Sequence, residues 1–183
     1  MQWGFAHDTR KDYQNTMTCY NYCITHTRNE SFLVTVLLNK ALALHRTGRL
    51  KKALHVYGKA EHLLHTLNET RTLTDADIIF GKAQIFDQMG DINNSFSNFE
   101  VALGIYKEVV GESHPNVAKV MQYLSTILLK EGKIKEAHYY VERALEIRQK
   151  ELGMNHEETG NSLYGKGLVF FVQQEYIQCI ACK

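Results

Sequence analysis

The stretch AKVMQYLSTILLKEGKIKEAHYYVERALEIRQKEL, residues 118–152, predicts the fold of the chain. In its first half apolar residues recur every three or four positions, as one face of a helix requires, and a second run of the same kind begins at Ile134. Gly132 separates the two runs. Small residues, Ser125 before the glycine and Ala137 after it, lie where two helices would come closest. The stretch therefore predicts one helical hairpin.

The hairpin pattern recurs along the chain with a period of 42 residues. Counting back from Gly132 reaches Gly90 and then Gly48, with small and large apolar residues at matching positions around each. Counting forward places Gly167 at the first small position and Cys179 at the second. Such a period is typical of an array of stacked hairpins in which each repeat packs against its neighbours.

These repeats resemble tetratricopeptide repeats. The family pattern has a small residue, a large apolar residue, a glycine turn, and then a small, an aromatic and an alanine position. In this chain the pattern is met by Ala41, Leu44, Gly48, Ala53, Tyr57 and Ala60; by Ala83, Phe86, Gly90, Ser95, Phe99 and Ala102; and by Ser125, Leu128, Gly132, Ala137, Val141 and Ala144. The 42-residue length and the joints between repeats are similar to those of kinesin light-chain and nephrocystin-type arrays. The resemblance covers roughly residues 34 to 180 and implies an all-α fold, an α-α superhelix of antiparallel hairpins.

The period divides the chain into repeats at about 34–75, 76–117, 118–159 and 160–183, and the last of these is expected to be truncated part-way along its second helix. Residues 1–33 fit the period poorly. They are expected to form either a degenerate repeat, with Gly4 as the small residue of a clipped first helix, or an N-terminal cap helix. Local signals place a helix cap at Thr74 or Asp75 and a helix start just after His114, at Pro115.

Composition argues against several classes of function. The net charge is +1 and 22% of residues are charged, so the balance favours neither a nucleic-acid partner nor a membrane surface. The first residues lack the pattern of a signal peptide, and no apolar run approaches the roughly 18 residues of a membrane helix. A soluble cytoplasmic protein without membrane insertion is expected.

Three patterns suggest sharper chemistry, and each has a plainer interpretation. Residues 160–167, GNSLYGKG, nearly spell a phosphate-binding loop, but Lys166 is a period mate of Lys40 and Lys82 and no Ser or Thr follows it. The cysteine pairs Cys19/Cys23 and Cys179/Cys182 lie at opposite ends of the array, so buried or half-buried thiols are expected rather than a zinc site. The histidines, His62, His65, His114 and His156 among them, lack a third ligand in register and are expected at the surface. No cofactor, metal or catalytic group is predicted.

The resemblance implies that the first helix of each repeat lines a concave groove that binds a partner peptide or helix. The predicted groove positions are Leu38, Asn39, Leu42, His45, Arg46, Phe80, Gln84, Asp87, Gln88, Gln122, Thr126, Leu129, Lys130, Tyr164, Leu168 and Phe171. Apolar anchors such as Phe80 and Leu129, beside the charges of Arg46, Asp87 and Lys130, suit a peptide with apolar anchors and acidic flanks. Lys135 and Glu142 are expected on the outer face, where replacement should be neutral.

Two features of the relatives are absent. The paired asparagines of kinesin light-chain repeats are reduced to Asn39, and the chaperone-binding clamp of other family members is echoed only by Asn39 and Lys119. The sequence thus predicts a non-catalytic protein-binding scaffold, with self-association through the uncapped C-terminal end as a further expectation. The alternative is a regulatory or oligomerising segment of a larger protein, such as a nucleotide-switch ATPase or a kinesin light-chain-like cargo adaptor.

Overall fold

A computed structural model describes residues 10–181 of the chain, so Gly4 and Cys182 lie outside the described residues. Within residues 10–181 the secondary structure is helical, without a strand. The helices are α1 Arg10–His26, α2 Glu30–Arg46, α3 Leu50–Thr66, α4 Leu73–Gln88, α5 Ile92–Val110, α6 Pro115–Lys130, α7 Ile134–Leu152 and α8 Glu157–Ala181. The all-α prediction is confirmed.

The described residues divide into two compact bodies, an N-terminal body up to Thr70 and a C-terminal body from Arg71. In the N-terminal body α2 and α3 form the hairpin of the first repeat, and α1 packs against α2. Ala41 on α2 and Ala53 and Tyr57 on α3 are completely buried, as the family positions require. Tyr13 of α1 is also buried, and the Cζ atom of Arg49 lies 4.1 Å from the centre of its ring.

The C-terminal body consists of the hairpins α4–α5 and α6–α7, followed by α8. One apolar core runs through both hairpins, with Phe99 and Leu124 fully buried within it. On α8, Val169 is fully buried in a second cluster with Leu128 and Val141. The sequence period therefore corresponds to repeated burial of the same helix faces.

The three period glycines make the turn inside each hairpin. Gly48, Gly90 and Gly132 have φ angles of 72°, 79° and 73°, in the left-handed region that glycine adopts at little cost. Each of these residues follows the end of a first helix, and its N–H donates to a carbonyl three residues earlier. This local geometry ends one helix and allows the next to start within four residues.

Two histidines cap the first helices of the last two repeats. α6 begins at Pro115, as predicted, and His114 Nδ1 accepts a hydrogen bond from the N–H of Asn116 at 3.1 Å. One period later, His156 Nδ1 accepts from the N–H of Glu158, also at 3.1 Å. An acceptor at this position satisfies an N–H that has no partner within the helix. The sequence signal was available, because the two histidines are 42 residues apart.

The predicted cap at Thr74 or Asp75 is wrong. α4 begins at Leu73, and the side chain of Thr72 accepts a hydrogen bond from the N–H of Asp75 at 3.3 Å. Asp75 lies in the first turn, where its carboxylate accepts from the N–H of Arg71 at 2.9 Å.

The last repeat differs from the expectation of a second helix. α8 is continuous from Glu157 to Ala181 and passes through position 174 without a turn. Glycine occupies the equivalent position in the other three repeats, but here the residue is Gln174. Without a residue suited to the left-handed region, the chain continues as helix.

Candidate partner-binding surface

The predicted groove positions lie on the first helices, α2 in the N-terminal body and α4, α6 and α8 in the C-terminal body. We call the outward-facing stripe of these helices the first-helix surface and describe each body separately. On α2, Asn39 and Arg46 are exposed, whereas Leu38, Leu42 and His45 are half-buried. This part of the surface combines apolar side chains with a polar rim.

Phe80, a predicted anchor, is instead part of the core. It is only 5% exposed, and its ring meets those of Phe99 and Tyr123 edge to face at centroid distances of 5.4 and 5.3 Å. The rings of Phe99 and Tyr123 also stack on each other at 5.1 Å. A partner therefore has little access to Phe80. Tyr123 of the next first helix covers it, which the pattern of α4 alone could not indicate.

The polar positions of α4 are engaged with α6. Gln84 Nε2 donates a hydrogen bond to the hydroxyl of Tyr123 at 2.7 Å, and Lys130 Nζ lies 2.6 Å from Asp87 Oδ1. The charges of Asp87 and Lys130 therefore offset each other on this part of the surface. Because Lys130 is paired with Asp87, it does not offer the unpaired positive charge on which the predicted preference for acidic flanks depended.

Gln122 of α6 lies directly over α8. A Cβ atom built on Gly165 would be 2.2 Å from Gln122 Nε2, so the absence of a side chain at Gly165 creates the space that this amide fills. Three contacts between neighbouring first helices join residues that are 43 positions apart: Phe80 with Tyr123, Asp87 with Lys130, and Gln122 with Gly165. In these three contacts a first-helix residue meets the residue one period plus one position later, which the sequence alone did not suggest.

The α8 end of the surface is apolar and open. Tyr164, Leu168 and Phe171 follow one another at helical spacing and are 71%, 40% and 62% exposed. Thr126 of α6 is exposed, and Leu129 is half-buried. Among the predicted groove residues of this body, the three on α8 offer the largest accessible apolar side chains.

Lys119, noted in the sequence only as an echo of the chaperone-binding clamp, is a half-buried polar group that was not among the predicted groove positions. Its Nζ lies 4.3 Å from the centre of the Phe80 ring, a cation–π contact made by a half-buried side chain. Burial lowers the pKa of Lys119, while the nearby carboxylates of Asp77 and Glu158 oppose that shift and Arg148 reinforces it.

The neighbours of Lys119 form a polar cluster where the repeats join. Arg148 is only 4% exposed, donates from Nη1 to Ser162 Oγ at 2.7 Å and has Nε 3.4 Å from Glu158 Oε2. Desolvation lowers the pKa of Arg148, and the Glu158 carboxylate opposes the shift. The Tyr106 hydroxyl donates to Asp77. These contacts join α5 to α4 and α7 to α8, and most polar groups of the cluster are paired with one another.

The GNSLYGKG segment is not a phosphate-binding loop. Residues 160–167 lie inside α8, and Lys166 Nζ is 2.8 Å from Glu142 Oε1 on α7. Helical backbone within α8 cannot present a row of N–H groups to a phosphate. The same ion pair corrects another expectation, because Glu142 lies at a helix contact rather than on a free outer face.

The described residues do not form a metal site from the cysteine pairs or the histidines of the sequence. Cys19 and Cys23 are free, Cys19 exposed and Cys23 half-buried, while Cys182 lies outside the described residues and the side chain of Cys179 is not described. Across the described part of the chain no group of three or more His, Cys, Asp or Glu side chains is placed to hold a metal ion. None of the described helices is long and apolar enough to cross a membrane.

Comparison with known proteins identifies the class. A sequence profile of the tetratricopeptide repeat family matches residues 74–150, which span most of α4 to α7. This match shows that residues 74–150 carry tetratricopeptide repeats, in hairpins whose small positions are buried. The predicted resemblance is confirmed for these residues, and repeats of this class imply a protein–protein interaction scaffold.

Two curated relatives share part of the sequence. The Clustered mitochondria protein of Arabidopsis thaliana is 28% identical over 111 residues, which are 61% of this chain and 7% of that protein. The human Tetratricopeptide repeat protein 19, mitochondrial, is 32% identical over 80 residues, 44% of this chain and 20% of the relative. The chain thus spans a small fraction of either relative's length.

Solved structures show the same fold. BtubC (BKLC) from P. vanneervenii superposes with a TM-score of 0.83 at 22% identity, covering 94% of this chain and 71% of that one. The kinesin light chain TPR-like repeats of Podosopora anserina superpose with a TM-score of 0.73 at 13% identity, covering 92% and 80%. These likenesses show the same fold of stacked helical hairpins, the fold that the sequence predicts. The alternative of a regulatory or oligomerising segment gains no support from the comparisons.

Proposed function

We propose that this chain is a non-catalytic binding module and that the first-helix surface of its C-terminal body holds a peptide or short helix of a partner protein. The observation that carries the proposal is the open apolar stripe of Tyr164, Leu168 and Phe171 on α8. Exposed apolar stripes of this kind are common at sites where proteins bind extended or helical peptides. The repeat class, whose members are interaction scaffolds, supports the same interpretation.

The side chains of the first-helix surface indicate what kind of peptide it would bind. Aromatic and aliphatic groups of the peptide would pack on Tyr164, Leu168 and Phe171, and a polar part would face Thr126 and the Asp87–Lys130 pair. Because that pair is internally neutralised, binding to this body should depend weakly on salt. We therefore propose apolar anchors with uncharged flanks, in place of the acidic flanks expected from sequence.

The test starts from peptides selected by display on the immobilised full chain, with affinities measured by calorimetry. Tyr164→Ala and Phe171→Ala should each weaken binding by about 1 kcal/mol or more, as truncation of an interface anchor does. Both side chains are more than half exposed, so helicity should not change. Lys135→Ala, at an exposed position on α7, is the matched control and should bind like the wild type. Binding that survives both α8 truncations but is lost in the control would place the binding site on the outer face.

Two further expectations stay proposals. Cytoplasmic location is one, and imaging of a fluorescent fusion in cells would test it, because the similar human protein is named as mitochondrial. Self-association through the C-terminal end is the other, and sedimentation over a range of concentrations measures it directly. A wholly mitochondrial signal, or a monomer at every concentration, would refute the corresponding expectation.

A further inference from the structure

A second stripe of α8, separate from the proposed peptide site, is exposed although its period mates are buried. The second stripe consists of Gly160, Leu163, Gly167 and Phe170. Leu163 is 43% and Phe170 48% exposed, and both glycines are exposed. The equivalent residues of α6 are Ala118, Met121, Ser125 and Leu128, and those of α2 are Val34, Leu37, Ala41 and Leu44. On α6 and α2 these residues are at most 7% exposed.

In the other repeats the second helix covers the equivalent stripe of the first helix at very close range. Ser125 Oγ of α6 donates to the carbonyl of Ala137 on α7 at 2.8 Å, and Ser95 Oγ of α5 donates to the carbonyl of Ala83 on α4 at 3.0 Å. A side chain that reaches the backbone of the facing helix requires small residues on both sides of the crossing. Gly167 is the period mate of Ser125 and Ala83, so α8 has the same close-approach position.

The covering helices share one pattern: a small residue, a large residue four positions later and alanine three positions after that. It is met by Ala53, Tyr57 and Ala60 on α3, by Ser95, Phe99 and Ala102 on α5, and by Ala137, Val141 and Ala144 on α7. Every one of these residues is completely buried. The chain thus contains three internal examples of the helix that fits this kind of stripe.

We propose that the second stripe of α8 docks an amphipathic helix of another protein that carries this small-x3-large-x2-Ala pattern, with its small residue opposite Gly167. The stripe lies next to existing core, because Val169 of α8 is fully buried with Leu128, Ala137 and Val141. Docking would therefore extend a packed interface.

The edge of the second stripe is polar and ordered against α7. Glu142 Oε1 lies 2.8 Å from Lys166 Nζ and 3.5 Å from His138 Nε2, and the His138 ring meets Phe170 edge to face at 5.4 Å. This arrangement holds Phe170 in place and leaves a polar margin. A docking helix with hydrogen-bonding side chains beside its apolar stripe fits both features.

The test uses the full chain and a synthetic peptide of residues 134–152, the α7 sequence, as the probe. Fluorescence anisotropy of the labelled peptide should show saturable binding, and hydrogen exchange should show added protection at residues 160–170. A peptide with Ala137→Leu should bind about tenfold more weakly or worse, because a large residue at the crossing prevents close packing. No saturable binding of the unaltered peptide overturns the proposal.

Gly167→Leu in the protein separates docking from folding. Gly167 is exposed and no atom lies within 4 Å of a Cβ built there, so we expect the free chain to tolerate leucine. The larger side chain should reduce peptide affinity about tenfold or more by blocking close approach. Gly167→Ala should bind like the wild type, since alanine fills the equivalent position at Ala41 and Ala83. Asn161→Leu adds the same side chain at an exposed position outside the stripe and should also bind normally.

Two results would assign the second stripe differently. Equal binding by the Gly167→Leu variant would show that the peptide sits elsewhere, including on the first-helix surface, whose own test uses Tyr164 and Phe171. Dimerisation that is abolished by Gly167→Leu and that a saturating concentration of the α7 peptide does not reverse would make a second copy of this chain the occupant. In an antiparallel pair of α8 helices Leu163 would then face Gly167, and Phe170 would face Gly160. Either result overturns the proposal.

Discussion

Replacing Gly165 or Gly167 of α8 by alanine should change the free energy of unfolding in opposite directions. Gly165 and Gly167 both have helical backbone, so replacement by alanine gains helix propensity, roughly 0.5–1 kcal/mol, at either position. No atom lies within 4 Å of a Cβ at Gly167. Gly167→Ala should therefore raise the free energy of unfolding by about that amount.

Gly165→Ala meets a packed neighbour. The new Cβ would lie 2.2 Å from Gln122 Nε2, 3.2 Å from Gln122 Cδ and 3.3 Å from Val141 Cγ2. The Gln122 amide can rotate away, but Val141 is completely buried and has little freedom to move. Overpacking of this kind costs about 1–3 kcal/mol, which exceeds the propensity gain. We expect a net loss of about 1 kcal/mol, and hence a difference of about 2 kcal/mol between the two variants.

Urea unfolding followed by circular dichroism measures the difference, with hydrogen exchange along α8 as a second readout. The second readout is needed because repeat arrays can open locally, and a change confined to α8 could leave the global midpoint unmoved. In the Gly165→Ala background, Gln122→Ala should recover part of the loss by removing the closest contact. If Gly165→Ala stabilises as much as Gly167→Ala, or if Gln122→Ala gives no recovery, the inferred contact between α6 and α8 is wrong.

Two further variants test the interior of the C-terminal body. Phe80→Ala should lower the free energy of unfolding by about 3–5 kcal/mol in chemical denaturation, because it empties an aromatic cluster; a loss of peptide affinity without a loss of stability would restore Phe80 as a surface anchor. Lys119→Met should raise stability at neutral pH, because burial lowers the folded-state pKa of Lys119 below 10.5 and the charged form is therefore disfavoured in the folded state. The free-energy cost of holding charged Lys119 in the folded state is fully present below its folded-state pKa. It disappears as the pH rises to the pKa that lysine has in the unfolded chain. The advantage of the variant in urea unfolding should thus shrink in alkaline solution, and an advantage that grows with pH would contradict the assignment.

The sequence by itself determined the repeat, its phase and its turns. A period of 42 residues is visible in Gly48, Gly90 and Gly132, and the structure places all three in the left-handed region. The small positions were equally clear, because two helices that pack closely leave no room for large side chains. Pro115 marked a helix start for a local reason, since its ring suits the first helical turn. Such features depend on residues within one hairpin and on their recurrence along the chain, so a single sequence is sufficient to reveal them.

The tertiary structure decided which groove positions are open. Phe80 and Tyr164 are period mates two repeats apart, yet Phe80 is 5% and Tyr164 71% exposed. Tyr123 covers Phe80 from the following first helix, and Gln122, the period mate between them, lies over Gly165 instead. The exposure of a first-helix residue thus depends on the residue about 43 positions later, on the neighbouring first helix. Helical periodicity reports the direction of a side chain from its own helix axis, whereas accessibility also depends on the neighbouring repeat that packs against it.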